Sequence, residues 1–380
     1  MNKLENANSV CYVAKINEIK AIPGADNIEQ AVIGGWNCII QKGQYSEGGL
    51  VVVATTDAVI PQELSDSMNV TNYLRKGQRV RTVKLRGVYS ECLIIPLKYI
   101  PKGNINTYTE GKDMMEVMNI FKYEPPAVQV QLASGRKIKY HQNPNFGVYY
   151  KFPNIKNVTG MFISGLDVVQ ITRKIHGTNA RYGIVKKRGL SFWDKVKKFF
   201  RLADEWIEYE YVYGSHNVEK GSDSQGFYDT DVWRTIADKY DIKDKLWTYV
   251  KLHGPKVIGN GVILYGEIYG PGIQKNYDYG LKDIQFTGFD FVEDGVYQNT
   301  IRTKHVIANV FNLPHVEELY VGPWYQELQT KFLYDGIPGT KVPHEGVVIK
   351  SVCGNRHLVA KVINPDYLIY GEKHDVGDSH

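Results

Sequence analysis

The chain has 380 residues, of which 43% are hydrophobic, and 46 Lys plus Arg stand against 41 Asp plus Glu. That length allows two domains, and no apolar run reaches the ~18 residues a membrane-spanning helix needs, so a membrane-embedded protein is not expected. The net charge of +5 permits an acidic partner without demanding one, and Cys11, Cys38, Cys92 and Cys353 lie too far apart for a CxxC zinc site or a disulfide framework.

The opening stretch, MNKLENANSVCYVAKINE, lacks the apolar core of a secretion signal, so a cytoplasmic, reducing setting is expected, that of a virus- or phage-infected cell included. Residues 10–100 read as short strands between turns. CYVAKINEIKAI precedes the turn PGAD, then come EQAVIGG, WNCIIQKG and GGLVVVATTDAVIP. QRVRTVKLRGVYSECLIIPL reads as a strand pair around Gly87. About five such strands within roughly 90 residues predict a small closed barrel. EGKDMMEVMNIFKYEPP reads as a short helix stopped by Pro125 and Pro126. Residues 123–157 are polar and weakly periodic, which predicts a linker.

The second half mixes strands and helices. MFISGLDVVQITRKI and RYGIVKKR predict strands flanking a turn at Lys174. RGLSFWDKVKKFFRLADEW, residues 188–206, reads as an amphipathic helix opened by Ser191 and Asp194. Its plain reading is a helix packed through Phe192, Val196, Phe199, Phe200 and Ala203; a sharper one has Lys197 and Lys198 gripping a polyanionic partner. Further on, Val232, Ile236 and Tyr240 fall at helical spacing, with Thr230 as the expected N-cap. GVILYGEIYG, IQFTGFDFVEDG, HEGVVIKS and HLVAKVIN are strands again. The expected class is α+β: a β-barrel followed by a domain of antiparallel strands with helices.

Several residues suggest chemistry. A lysine becomes a nucleophile when its surroundings favour the free amine, and the apolar approach DVVQIT would bury Lys174. Gly177 lets the backbone come close to a ligand, and Asn179 can hydrogen-bond a ribose. Glu267 alternates out of an apolar strand among glycines. Phe289, beside Asp290, offers a stacking face. Glu345 and Lys350 are five apart, so on a strand they point to opposite faces unless Gly346 bends the chain. Lys361 is a second lysine set in an apolar strand, where a lone ammonium is costly. A lysine nucleophile, two carboxylates for a hydrated cation, an aromatic shelf and two further cations suit attack on an α-phosphate.

The ordered series KIHGTN, GSHN, GEIYGPGIQKNYDYG, FDF, EGVVIK and VAKVIN resembles the covalent nucleotidyltransferases: polynucleotide ligases and capping enzymes. Within them it is most similar to RNA ligases of the RNA ligase 2 type. Spacings of 93, 22, 56 and 16 residues from Lys174 through Glu267, Phe289 and Glu345 to Lys361 keep the family order. The first half resembles the N-terminal OB module of Deinococcus-type RNA ligases, and also tRNA-binding OB modules. The resemblance implies an OB-fold barrel over 1–122, a linker over 123–157, an adenylyltransferase (ATP-grasp-like ligase) domain over 158–372 and a tail over 373–380. It implies an ATP-dependent RNA ligase using Mg²⁺ or Mn²⁺, forming lysyl-AMP and sealing nicked duplex RNA, as a monomer with no membrane partner.

By the same resemblance, Lys174 takes the adenylate and Phe289 stacks on adenine. Glu267 and Glu345 support the metal, and Lys350 and Lys361 neutralise phosphates. His176, Asn179 and His216 contact the nucleotide. Many relatives have aspartate at the His176 position and several have arginine at the His216 position. Ile363 stands where RNA ligase 2 has another lysine. Arg79, Arg81, Lys84 and Arg86 form a basic cluster in the barrel that fits either RNA contact or ordinary edge-strand charge. A guanylyltransferase, a DNA ligase or a non-catalytic RNA-binding protein are the competing readings.

Overall fold

The computed structural model of the chain describes residues 4–100, 108–123, 143–200, 202, 204, 206–216, 219–221, 231–352 and 358–376. In the first half the period-2 apolar pattern builds β1 (Cys11–Ala21), β2 (Ile28–Ile33), β3 (Trp36–Gln41), β4 (Leu50–Thr55) and β5 (Ala58–Val59). After α1 (Gln62–Ser67) come β6 (Val83–Leu85), β7 (Val88–Ser90), β8 (Cys92–Ile95) and β9 (Phe121–Lys122). Five strands form one sheet in the order β3-β2-β1-β4-β8. It curls until the Glu91 N–H, just before β8, donates to the Asn37 carbonyl of β3 at 2.8 Å, which nearly closes the barrel. Alternate residues of all five strands fill its interior, among them Tyr12, Ala31, Trp36, Val53 and Ile94. The opposite residues of β1, β4 and β8 form a second cluster with Ile60, Met114 and Met118.

The second half holds two antiparallel sheets. β10 (Val168–Lys174) and β11 (Thr178–Lys186) flank the Lys174 turn; α2 (Phe192–Phe199), β12 (Tyr209–Gly214) and β13 (Glu219–Gly221) follow. Next are α3 (Val232–Lys239), α4 (Ile242–His253), α5 (Pro255–Ile258), β14 (Gly261–Tyr269), β15 (Gln285–Glu293) and β16 (Val296–Tyr297). α6 (Thr300–Lys304), β17 (Glu318–Pro323), α7 (Leu328–Lys331), β18 (Gly346–Ser351), β19 (Val359–Ile363) and α8 (Pro365–His374) complete the chain. The strand orders are β13-β12-β11-β14-β15-β16 and β17-β10-β18-β19. The main core lies between the six-stranded sheet and α3 and α4, where Tyr182, Ile184, Leu246, Leu264 and Phe286 are buried.

Four sequence expectations change. Residues 110–119 form turns rather than a helix, because their backbone is claimed by β1: Val13 N–H donates to the Lys112 carbonyl and Met114 N–H to the Cys11 carbonyl. The helical pattern after residue 230 splits in two at Asp241, whose φ of 51° breaks the ladder. Its N-cap is Asp231, accepting from the Trp233 and Arg234 amides; Thr230 lies outside the described residues. In the expected linker, residues 124–142 lie outside the described residues, whereas Phe146 and Tyr149 are buried against the six-stranded sheet. α2 is opened by Ser191 accepting from the Asp194 amide, a cap worth about 1 kcal/mol, but it buries no residue. Among the described residues no helix is long and apolar enough to cross a membrane.

Candidate active site

Register places the lysines. Lys174 of β10 lies opposite Gly346 of β18, and Gln170 opposite Lys350. Lys361 of β19 lies opposite Val348, which also faces Thr172. Directly opposed residues share a face, as do positions two apart along a strand, so Lys174, Lys350 and Lys361 stand on one face. The other face carries Val169, Ile171, Val347, Ile349 and Val362 into a core. Gly346 adopts φ 154°, and a Cβ there would meet the Val362 carbonyl oxygen at 2.0 Å. This glycine bends the start of β18, as the Glu345–Lys350 spacing requires. Glu345 thus reaches back, its Oε1 2.5 Å from Lys174 Nζ.

The second sheet supplies the facing groups. Asn179 of β11 lies opposite Glu267 of β14. Between them and Lys174 runs the His176–Gly177 turn. A Cβ on Gly177 would meet the Ile268 carbonyl oxygen at 2.2 Å, so the close approach that demands glycine is to β14, not to a ligand. The β14–β15 register slips between Tyr265 and Gly266, leaving Phe289 as the extra residue of a bulge. A bulge re-aims its side chain, and Phe289 joins Asp290 on the site face, its ring 5.0 Å from Tyr149. Lys350 Nζ donates to Asp290 Oδ2 at 2.7 Å and to the Phe289 carbonyl at 2.8 Å. Tyr149 donates to the same carboxylate oxygen at 2.7 Å, so this buried charge pair is hydrogen-bonded on both sides.

The electrostatics are those of a site short of counter-charges. Burial pushes the Glu267 carboxyl up to about 8, with Glu345 raising it further and Lys174 and the Gly177 amide opposing. Burial, with help from Lys174 and Lys122, brings the Lys361 amine down to about 8. Glu345 Oε2 and Asn179 Oδ1 are buried acceptors with no donor among the described residues. Leaving such acceptors unmet costs about 1–3 kcal/mol each, so they fit an incoming donor. Two carboxylates and no third ligand fit a cation held through its water shell; among the described residues no group of three His, Cys, Asp or Glu side chains could cage one.

A family model described as RNA ligase matches residues 167–363, over half of the chain, and these sheets are what it covers. The chain belongs to the RNA ligase family. An OB-fold domain model matches residues 10–97, the barrel. No curated protein sequence matches. Among solved structures, the ligase resembles Naegleria gruberi RNA ligase over nearly its whole length. With ATP and manganese that protein gives 22% identity, a TM-score of 0.70, and coverage of 96% of this chain and 99% of the other. With pyrophosphate the values are 21%, 0.69, 97% and 99%. An apo form gives 20%, 0.71, 97% and 99%. The shared fold is thus an OB barrel followed by the two-sheet domain.

Not every expected site residue joins the ligase's face. His176 is buried, its Nδ1 3.0 Å from the Tyr367 hydroxyl and its ring edge-on to Tyr277. These contacts hold the ring against the loop after β14 and against α8, beside the Lys174 turn. His216 is half-buried, and burial, then Arg181 and Lys151, hold its imidazole below the usual range. The basic residues of the barrel each have their own partners. Arg79 is bonded to Asp57 at 2.8 and 2.5 Å and stacks on Tyr123. Arg81 holds Glu372 of α8 at 2.5 Å, Lys84 lies 2.9 Å from the Tyr89 hydroxyl and 3.7 Å from Asp366, and Arg86 donates to the Gly24 carbonyl. Three residues of the β6–β7 segment therefore fasten the barrel to α8, since Tyr89 also donates to Asp366 at 2.7 Å.

Sequence reasoning missed the site's scaffold. In the loop after β14, Gln274 Nε2 donates to the Gly177 carbonyl at 2.5 Å, and the Tyr279 hydroxyl accepts from the His176 amide at 2.6 Å. Tyr277 donates to the Pro343 carbonyl two residues before Glu345. The NYDYG run was the available signal: tyrosines in a glycine-bounded loop must find partners for their hydroxyls when buried.

Proposed function

We propose that this RNA ligase is ATP-dependent and seals 3′-hydroxyl/5′-phosphate nicks in duplex RNA, as a monomer acting in RNA repair. Lys174 is its nucleophile. The observation that carries the reading is the single sheet face holding Lys174, Lys350 and Lys361, with the Glu345 carboxylate 2.5 Å from the Lys174 amine. The similar Naegleria gruberi protein, solved with ATP and manganese, with AMP and manganese and with pyrophosphate, supports ATP as the nucleotide.

Lys174 attacks only as the free amine, and Glu345 Oε1 is in position to take its proton. The Nζ–phosphorus bond forms as pyrophosphate leaves. Phe289 stacks on adenine and Asn179 accepts from the ribose. Lys361, and Lys350 once it exchanges Asp290 for phosphate, offset the charge on the triphosphate. Glu267 and Glu345 are the residues that would hold magnesium or manganese, which when bound would add to the neutralisation of phosphate charge. AMP then passes to the RNA 5′-phosphate, and the 3′-hydroxyl displaces it. Residues 1–122 act as the RNA-binding barrel and 158–372 as the adenylyltransferase unit, with part of the supposed linker belonging to the latter through Phe146 and Tyr149. The test is incubation with labelled ATP or GTP and manganese, followed by denaturing electrophoresis. Label from ATP alone, lost in Lys174→Ala, supports the reading; no label, or label retained in Lys174→Ala, rejects it. A sealing assay over RNA and DNA nicks defines the strands accepted.

A further inference from the structure

α2 is an amphipathic helix seated the wrong way round for a soluble protein. Successive residues turn by about 100°. Phe192, Trp193, Val196, Phe199 and Phe200 therefore fall within an arc of roughly 120°, with Val196 near its middle. Asp194 and Lys198 fall opposite that arc, and it is these polar residues that face the body: Asp194 pairs with Lys187 at 3.3 Å and Lys198 with Glu208. The apolar arc points outward. Phe192, Trp193, Phe199 and Phe200 are 72%, 70%, 82% and 63% exposed, and the next residue described, Leu202, is 78% exposed. Lys195 and Lys197, both exposed, flank the arc at about 100° on either side of its middle.

We propose that α2 is an in-plane anchor that seats the ligase on an anionic lipid surface. Its aromatic arc enters the boundary between headgroups and acyl chains, and Lys195 and Lys197 meet headgroup phosphates. The charge balance selects this occupant. Segment 186–200 carries Lys186, Lys187, Arg188, Lys195, Lys197 and Lys198 against Asp194 alone. A second copy would bring the same positive charge against itself. An RNA duplex satisfies the lysines, but it stacks its base faces inside and shows phosphate, ribose hydroxyls and polar groove edges, which leaves four aromatic rings without an apolar partner. An anionic bilayer meets both demands, with Trp and Phe at the depth such rings favour and lysines reaching up to phosphate. The ion pairs to Lys187 and Glu208 hold the helix flat against the protein, so the rings can enter together. No described helix is long and apolar enough to span a membrane, so the contact proposed is one at the lipid surface.

The test is flotation of the full chain with vesicles of phosphatidylcholine alone or mixed with phosphatidylserine, at low and high salt. Flotation is expected with the anionic vesicles only, weakened by salt. The bound fraction should fall at least about tenfold both in Phe199→Ser/Phe200→Ser and in Lys195→Glu/Lys197→Glu, with thermal melting unchanged. Absence of flotation, or flotation that survives both paired variants, overturns the proposal. It is equally overturned if the variants weaken capture of a nicked RNA duplex while leaving vesicle binding intact. A dimer in sedimentation velocity that the phenylalanine variants dissociate would also overturn it.

Discussion

Glu267→Gln is expected to stabilise the ligand-free chain at neutral pH while removing its adenylylation activity. Burial raises the Glu267 carboxyl from its ordinary 4.5 to about 8. Between those values the folded chain holds a proton that the unfolded chain has released, so stability falls as pH rises. Integrating the two titrations gives a loss of about 1 kcal/mol at pH 5 and about 4 kcal/mol at pH 7.5. Glutamine copies the protonated acid in shape and charge and carries no such loss. The variant should therefore match the wild type near pH 5, within about 1 kcal/mol, and exceed it by about 4 kcal/mol near pH 7.5. Urea unfolding of both proteins at the two pH values measures this, and titrating groups that do not interact with Glu267 cancel in the difference. A stability gain coupled to lost activity marks a residue kept for chemistry. If the variant's advantage is the same at both pH values, or absent at pH 7.5, the burial argument for Glu267 fails.

Gly177→Ala places a methyl carbon 2.2 Å from the Ile268 carbonyl oxygen; a loss of more than about 2 kcal/mol in thermal unfolding is expected, together with lost adenylylation, and a wild-type melt would refute the packing argument. Lys361, brought down to about 8, must be protonated to attract phosphate, so its contribution to pyrophosphate binding falls as pH rises through 8. Calorimetry should show about a tenfold weakening between pH 7 and 9 relative to Lys361→Arg, and parallel profiles would exclude Lys361 from the phosphate site. Phe289→Ala is expected to raise the KM for ATP by about five- to 150-fold, the worth of one stacked base, with GTP no better accepted. A double-mutant cycle on Arg81 and Glu372, both partly exposed, should give a coupling of under about 1 kcal/mol that salt removes, and a larger value would mean that this contact locks the barrel to α8.

The sequence alone determined the strand segments of the barrel and of the Lys174 region, because residue alternation and turn residues act locally. The ordered motifs carried the family as well, since short stretches from Lys174 to Lys361 keep its residue types and order. Local signals misled where distant partners compete for the backbone. Residues 110–119 have a helical pattern, yet β1 claims their amides. Phe146 and Tyr149 sit in a polar stretch that reads as linker, yet cross-sheet packing buries them. Only the tertiary structure could decide which cations stay available. Arg79 and Arg81 look alike in sequence, but one is spent on Asp57 and the other on Glu372, 291 residues away. It also decided that α2 turns its aromatic side outward, because ion pairs to Lys187 and Glu208 take its polar side. Periodicity fixes which residues share a helix face; only the charges and cavities of the rest of the chain fix which way that face points.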